Sequence, residues 1–262
     1  MLTKSLTRLR GQLAQTDRQL WLWPALTTIC MIIVWEAFVR IYQVTPVVLP
    51  APSAILRVFV DRYELLLTNL WPTFYQIVLG FALSVVGGVA VAIALTYSKV
   101  FERSAYPMIV VAQIVPKVAV APLLVLWFGM GDLSRLALAF LVAFFPMVVN
   151  TAAGLAAIDS DTLRMARSYM GSRTKIFTKI RLPNALPHIF AGMKISITLA
   201  VIGVIVAEFV ASQQGIGYLI IWSNGLLDTP MMFAAIILLS VVGLVLYGLI
   251  AAFEKLIVYW QT

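Results

Sequence analysis

The chain has 262 residues, of which 62% are hydrophobic and 11% charged, with a formal net charge of +8. Soluble domains run closer to half apolar and a quarter charged, which excludes a soluble fold and asks how many times the chain crosses a bilayer. One cysteine (Cys30), inside an apolar run, excludes a disulfide framework, and one histidine (His188) argues against a histidine metal centre or a catalytic triad.

A membrane-spanning helix needs about 20 mainly apolar residues. Six segments meet that length: 21–41, 71–97, 105–128, 136–155, 187–210 and 231–253. Pro116 and Pro122 interrupt the third. Between the first two, Leu49-Pro50-Ala51-Pro52-Ser53 reads as a turn, with Ser53 the expected N-cap of a surface helix running toward Leu67. Gly80, Ser84, Gly87 and Gly88 form one small-residue stripe along the second span, suited to close helix contact. After the fifth span, Gly215-Ile216-Gly217 permits a tight re-entrant or surface turn. The sequence reads as a basic leader (1–20), one membrane domain (21–255) and a short tail (256–262).

Most of the charge lies in the connections. The leader carries Lys4, Arg8, Arg10 and Arg18 against Asp17, and the loop 98–104 has Lys99 and Arg103 against Glu102. The loop 156–186 has six basic residues against Asp159 and Asp161, whereas the remaining connections are neutral or acidic. Basic residues concentrate in cytoplasmic loops, so both termini and the 156–186 island are expected in the cytoplasm. The same distribution speaks against a nucleic-acid partner, because the cations form no single face.

The island is the most informative segment. Asp159 or Ser160 can cap a first short helix, Gly171 can stop it, and Ser172 can cap a second that passes Ile176 and Ile180 and ends at Pro183. Leu163, Ala166 and Met170 share one face, with Arg164 and Arg167 on another. Such a helix either lies in the groove of a partner protein or rests on anionic lipid headgroups.

Ionisable residues within the spans each need a reason, because a lysine at mid-bilayer costs about 2.5–3.5 kcal/mol on insertion scales. Lys117, just after Pro116, can line a solute path and favour an anion, with Gln113 one turn earlier and Asn150 as further path candidates. Its structural alternative is a pair with Glu36 or Glu208, or a contact with backbone carbonyls. Glu208 reads more as a helix tie near the outer gate than as a solute ligand. Lys194 is expected to snorkel to the cytoplasmic interface, and Glu36 with Arg40 to form a local ion pair.

The island resembles the cytoplasmic loop of ABC importer permeases, Glu-Ala-Ala, three residues, Gly, nine residues, Ile-x-Leu-Pro. Arg164-Met165-Ala166 stands in the triplet, Met170 in the glycine slot with Gly171 one place late, and Ile180-Arg181-Leu182-Pro183 in the terminal element. Leu49-Pro50-Ala51-Pro52-Ser53, Val115-Pro116, Pro122 to Gly129, Phe145-Pro146 and Gly215-Ile216-Gly217-Tyr218-Leu219 extend the likeness. They resemble the branch serving nitrate, sulfonates, taurine, thiamine precursors and riboflavin-like compounds.

The resemblance implies an all-α, six-span permease of the type I importer kind in a bacterial inner membrane. It implies a permease pair, two cytoplasmic ATPases that bind ATP and Mg, and an external solute-binding protein. Residues 160–177 would be the coupling helix, with Leu163, Arg164, Ala166, Arg167, Tyr169, Met170 and Gly171 at the ATPase. The chain has no Gly-x-x-x-x-Gly-Lys-Ser/Thr loop, so no ATP hydrolysis and no cofactor of its own is expected. An ATP-independent carrier or channel is the rival reading. A membrane enzyme is disfavoured, since the polar residues do not gather into a catalytic set.

Overall fold

Nearly every stretch of this chain is apolar, and in lipid a backbone can satisfy its own hydrogen bonds only as a helix or a closed barrel. The computed structural model describes the backbone of residues 2–170 and 172–261 and the side chains of 22–169 and 172–260, and all its regular elements are helical. In chain order these are α1 (Leu2–Ile41), α2 (Pro52–Asp61), α3 (Tyr63–Tyr97), α4 (Lys99–Ile114) and, after a 3₁₀ turn at Lys117–Val120, α5 (Ala121–Phe128). Then come α6 (Asp132–Ala156), α7 (Ser160–Met170), α8 (Arg173–Ile176), a π turn (Phe177–Arg181), α9 (Leu182–Ala211), α10 (Ile216–Gly225) and α11 (Thr229–Ile257).

Five described helical segments are long and apolar enough to cross a membrane, and a bent pair raises the number to six. That pair is the third expected span, which is not one rod: Lys99–Ile114 and Lys117–Phe128 meet at 85°. The break lies at Val115, where ψ is 129°. The ring of Pro116 excludes the helical region at the residue before it, and its missing N–H removes a rung of the ladder.

Three other boundaries differ from the sequence reading. The helix after the Leu49–Ser53 turn takes Ala51 as N-cap and Pro52 in its first turn, the position where a missing N–H costs nothing. It ends at Asp61, and α3 begins at Tyr63, so only the last part of the expected surface helix, residues 63–67, joins the second span. Pro183 does not end the second island helix. A π turn directly before it widens the coil, and helix continues from Arg173 to Ala211.

Contacts divide the chain into two units, residues 1–63 with 223–234, and residues 64–222 with 235–262. In the first, Glu36 accepts from the Ser53 backbone N–H at 3.0 Å and the Ser53 hydroxyl at 2.8 Å, serving as an external cap for α2. The expected pair with Arg40 is present at 2.6 Å. Arg62 pairs with Asp228 at 2.6 Å, and the Thr229 hydroxyl donates to the Val47 carbonyl at 2.7 Å.

The second unit is organised around α6. Ala139, fully buried, stands between Gly80 of α3 and Gly203 of α9. A Cβ on Gly80 would come within 2.7 Å of the Ala139 Cβ, and one on Gly203 within 2.8 Å of its Cα. Lower down, Gly88 faces Met147 in the same manner. The Ser84 hydroxyl reaches the Phe140 carbonyl (3.1 Å) and the Ser196 hydroxyl the Ala143 carbonyl (2.8 Å). Small residues with hydroxyl bridges are how helices associate where apolar burial gives no advantage over lipid.

Candidate translocation site and coupling surface

The second unit has a basic end, where α3 and α6 finish and α9 starts, and an opposite end, where α6 starts and α9 finishes. Between them, Gln113 and Lys117 border a cavity of about 440 Å³ with Val142, Pro146, Leu199 and Ile202. The kink at Val115-Pro116 puts Lys117 there: it frees carbonyls in the preceding turn, and the Lys117 Nζ donates to one of them, Gln113 O, at 2.9 Å. The ammonium also lies 4.9 Å from the centroid of the Phe145 ring. Lys117 forms no ion pair among the described residues; Glu36 is engaged by Ser53 and Arg40, and Glu208 by other groups. Of the expected alternatives, the carbonyl contact is the one observed.

The other path candidates do not join this cavity. Asn150 donates to the Pro146 carbonyl at 2.8 Å, using an acceptor of its own helix. Glu208 is 1% exposed and sealed under the turn that follows α9. It accepts from the Thr73 hydroxyl at 2.7 Å and from the Gly217 N–H at 2.7 Å. Thr73 in turn accepts from the Ile216 N–H (2.8 Å), and Asn69 Oδ1 accepts from the Gly215 N–H (3.0 Å). Gly215 has φ of 111°, and a side chain there or at Gly217 would strike the Glu208 carboxyl. Glu208 is therefore a tie between α9, α3 and the Gly215–Gly217 turn, and it offers no surface to a solute.

Beside this clamp is a second one that the sequence reading overlooked. Arg135 is 5% exposed, donating to Asp132 at 2.6 Å and to the Ser212 hydroxyl at 2.8 Å; Gln76 donates to the same Asp132 oxygen at 2.9 Å. A usable signal was present. Asn69, Thr73 and Gln76 fall four and three residues apart on an apolar helix, in line with the Gly80–Gly88 stripe, so one face of α3 is polar or small throughout. Lys194, expected to snorkel, forms an ion pair with Glu254 of α11, and both side chains are about three-quarters buried.

At the basic end, Asp159 caps α7, its carboxylate accepting from the N–H groups of Asp161 (3.2 Å) and Thr162 (3.3 Å). Ser172 precedes α8 without a side-chain cap bond. The two faces of α7 have different fates. Ala166 is 6% exposed and Leu163 half-buried, both turned toward their own chain. Met165 is 62% and Tyr169 85% exposed on the opposite side. Arg164 is exposed and engages Asp161 one turn back. Arg167 is exposed like Arg164, three residues before it, and with Leu163, one turn back, it lines a cavity at this end. Gly171 and the Met170 side chain lie outside the described residues.

The family model for the inner-membrane component of binding-protein-dependent transport systems matches residues 84–259, two-thirds of the chain. The chain belongs to that family. Among its relatives, the formylaminopyrimidine transport permease of Halalkalibacterium halodurans is 32% identical, over 91% of this chain and 95% of that one. An aliphatic sulfonates transport permease of Bacillus subtilis, itself named as putative, is 32% identical over 92% and 88%. A chain of the MetNI methionine ABC transporter in an inward-facing form superposes with a TM-score of 0.66 at 15% identity, covering 75% of this chain and 98% of that one. At that identity the likeness speaks for the fold, which is that of a type I importer permease. This binding-protein-dependent permease is accordingly an inner-membrane component of an ABC importer, and the carrier or channel alternative is set aside.

Proposed function

We propose that the chain works as one half of a permease pair that imports a small anionic solute, with 156–186 as its coupling loop and both termini in the cytoplasm. The observation that carries the anion reading is Lys117, a cation on a cavity wall whose described contacts are one carbonyl and one ring face. Its ammonium keeps donor capacity for a ligand oxygen, as does the neighbouring Gln113 amide. The relatives include permeases named for a heterocycle and for sulfonates, so the family alone leaves the solute class open.

On this reading the exposed face of α7, with Tyr169 and Met165 outward, seats in a partner ATPase that binds ATP and Mg, and an external binding protein delivers the solute. Motion of the ATPase pair rocks the helices around the Lys117 cavity, alternating its access. Of the coupling set expected from the sequence, Tyr169 offers the docking contact, while Leu163 and Ala166 secure α7 to the permease body.

The test uses the assembled transporter in vesicles with its binding protein. Uptake of a panel of sulfonates and carboxylates is compared with uptake of neutral heterocycles, for the wild type and Lys117→Gln. Import of an anion that Lys117→Gln loses, with ATPase subunits still bound, supports the assignment. Import of neutral solutes alone, or unchanged anion uptake in the variant, overturns it.

A further inference from the structure

At the basic end, a cavity of about 640 Å³ opens between α7, the α8–π-turn segment and the junction of α3 with α4. Lys99, Arg167, Arg173 and Arg181 converge on it, and no acidic residue lines it. Among the described residues none of the four takes part in an ion pair, although Arg164 nearby does. Four cations around one hollow repel each other, and the arrangement is stable only with an anion inside or solvent screening it. Two aromatic rings share the lining, Tyr97 and Phe177, at 5.6 Å between ring centroids.

We propose that this cavity seats the phosphodiester headgroup of an anionic phospholipid. Two observations favour a lipid over a protein side chain. Tyr97 closes α3, a helix long and apolar enough to cross a membrane, so the lining pairs aromatic rings with cations at the end of a span, the combination suited to the headgroup region. Leu163 and the exposed Arg167 line the cavity from one side of α7, whereas Tyr169 and Met165 are exposed on the other, so an ATPase docked on the latter leaves the cavity to the membrane side. Guanidinium groups present paired N–H donors that match phosphate oxygens, and three of the four cations are arginines. A headgroup held there bridges the coupling helix to the ends of the spans it must move, which makes transport responsive to anionic lipid. The cytoplasmic side of this end is taken from the proposed function above.

The experiment titrates phosphatidylglycerol into the detergent-solubilised full-length permease assembled with its ATPases and counts bound lipid by native mass spectrometry. Phosphatidylcholine and inorganic phosphate serve as separate arms. Wild type is expected to retain phosphatidylglycerol selectively, and Arg167→Gln with Arg181→Gln to bind it about thirtyfold more weakly, from about 1 kcal/mol per basic residue at 1.4 kcal/mol per tenfold. The charge-matched Lys175→Gln with Lys179→Gln, outside the cavity, is expected to bind as wild type. Equal retention by both double variants overturns the proposal. So does occupancy by inorganic phosphate in preference to lipid, or absence of bound lipid from the ATPase-bound complex. Maleimide labelling of Ser160→Cys from each side of sealed vesicles tests the orientation separately, so a wrong topology is distinguishable from a wrong ligand.

Discussion

Replacing Thr73 by valine tests the clamp under the Gly215–Gly217 turn with almost no change in volume. The hydroxyl donates to Glu208 at 2.7 Å and accepts from the Ile216 N–H at 2.8 Å, and Thr73 is fully buried. Valine leaves one buried donor and one buried carboxyl oxygen without a partner, each worth about 1–3 kcal/mol. The expected loss is therefore about 2–6 kcal/mol, whereas Thr73→Ser keeps both bonds and is expected to cost about 1 kcal/mol for the lost methyl. The assay is reversible unfolding in mixed micelles as denaturing detergent is raised, with a double-mutant cycle against Glu208→Gln. A cycle on a genuine bridge shows coupling of about 0.5–3 kcal/mol. If Thr73→Val unfolds like Thr73→Ser, or the two substitutions add without coupling, the clamp does not hold the turn as argued.

Gly203→Ala places a methyl within 2.8 Å of the Ala139 Cα, and backbone cannot step aside as a side chain can. It is expected to cost about 1–3 kcal/mol in the same unfolding assay. Lys194→Met and Glu254→Leu each strand one partner of a mostly buried ion pair, so each alone should lower stability more than both together, which a second cycle checks. Tyr169→Ala removes the most exposed ring on α7 without touching its buried face, so it should leave folding intact while weakening ATPase retention about tenfold or more, the range of an aromatic anchor, in a pull-down from solubilised membranes.

Much was readable from residue order. Five of the six apolar stretches of bilayer length, the kink site at Val115-Pro116 that bends the other, the Gly80–Gly88 packing stripe and the Glu36–Arg40 pair follow from short-range rules of length, period and proline geometry, and the structure contains each. Pro183 shows the limit of such rules. Proline stops a helix in water, but here a π turn just before Pro183 lets helix pass.

What residue order left undecided is which way each helix is turned. In a soluble helix one apolar stripe fixes the rotation, whereas spans that are apolar on nearly every face accept many rotations and registers with similar burial. Only the packed structure brings Thr73 to Glu208, 135 positions away, sets Lys117 on a cavity wall, and gathers Arg167 with three other cations around one hollow. Membership of the membrane, the apolar stretches and the basic end were written locally, because a bilayer reads hydrophobic length and loop charge one segment at a time. The clamp and the two cavities were not, because each requires side chains from distant segments to meet at one point.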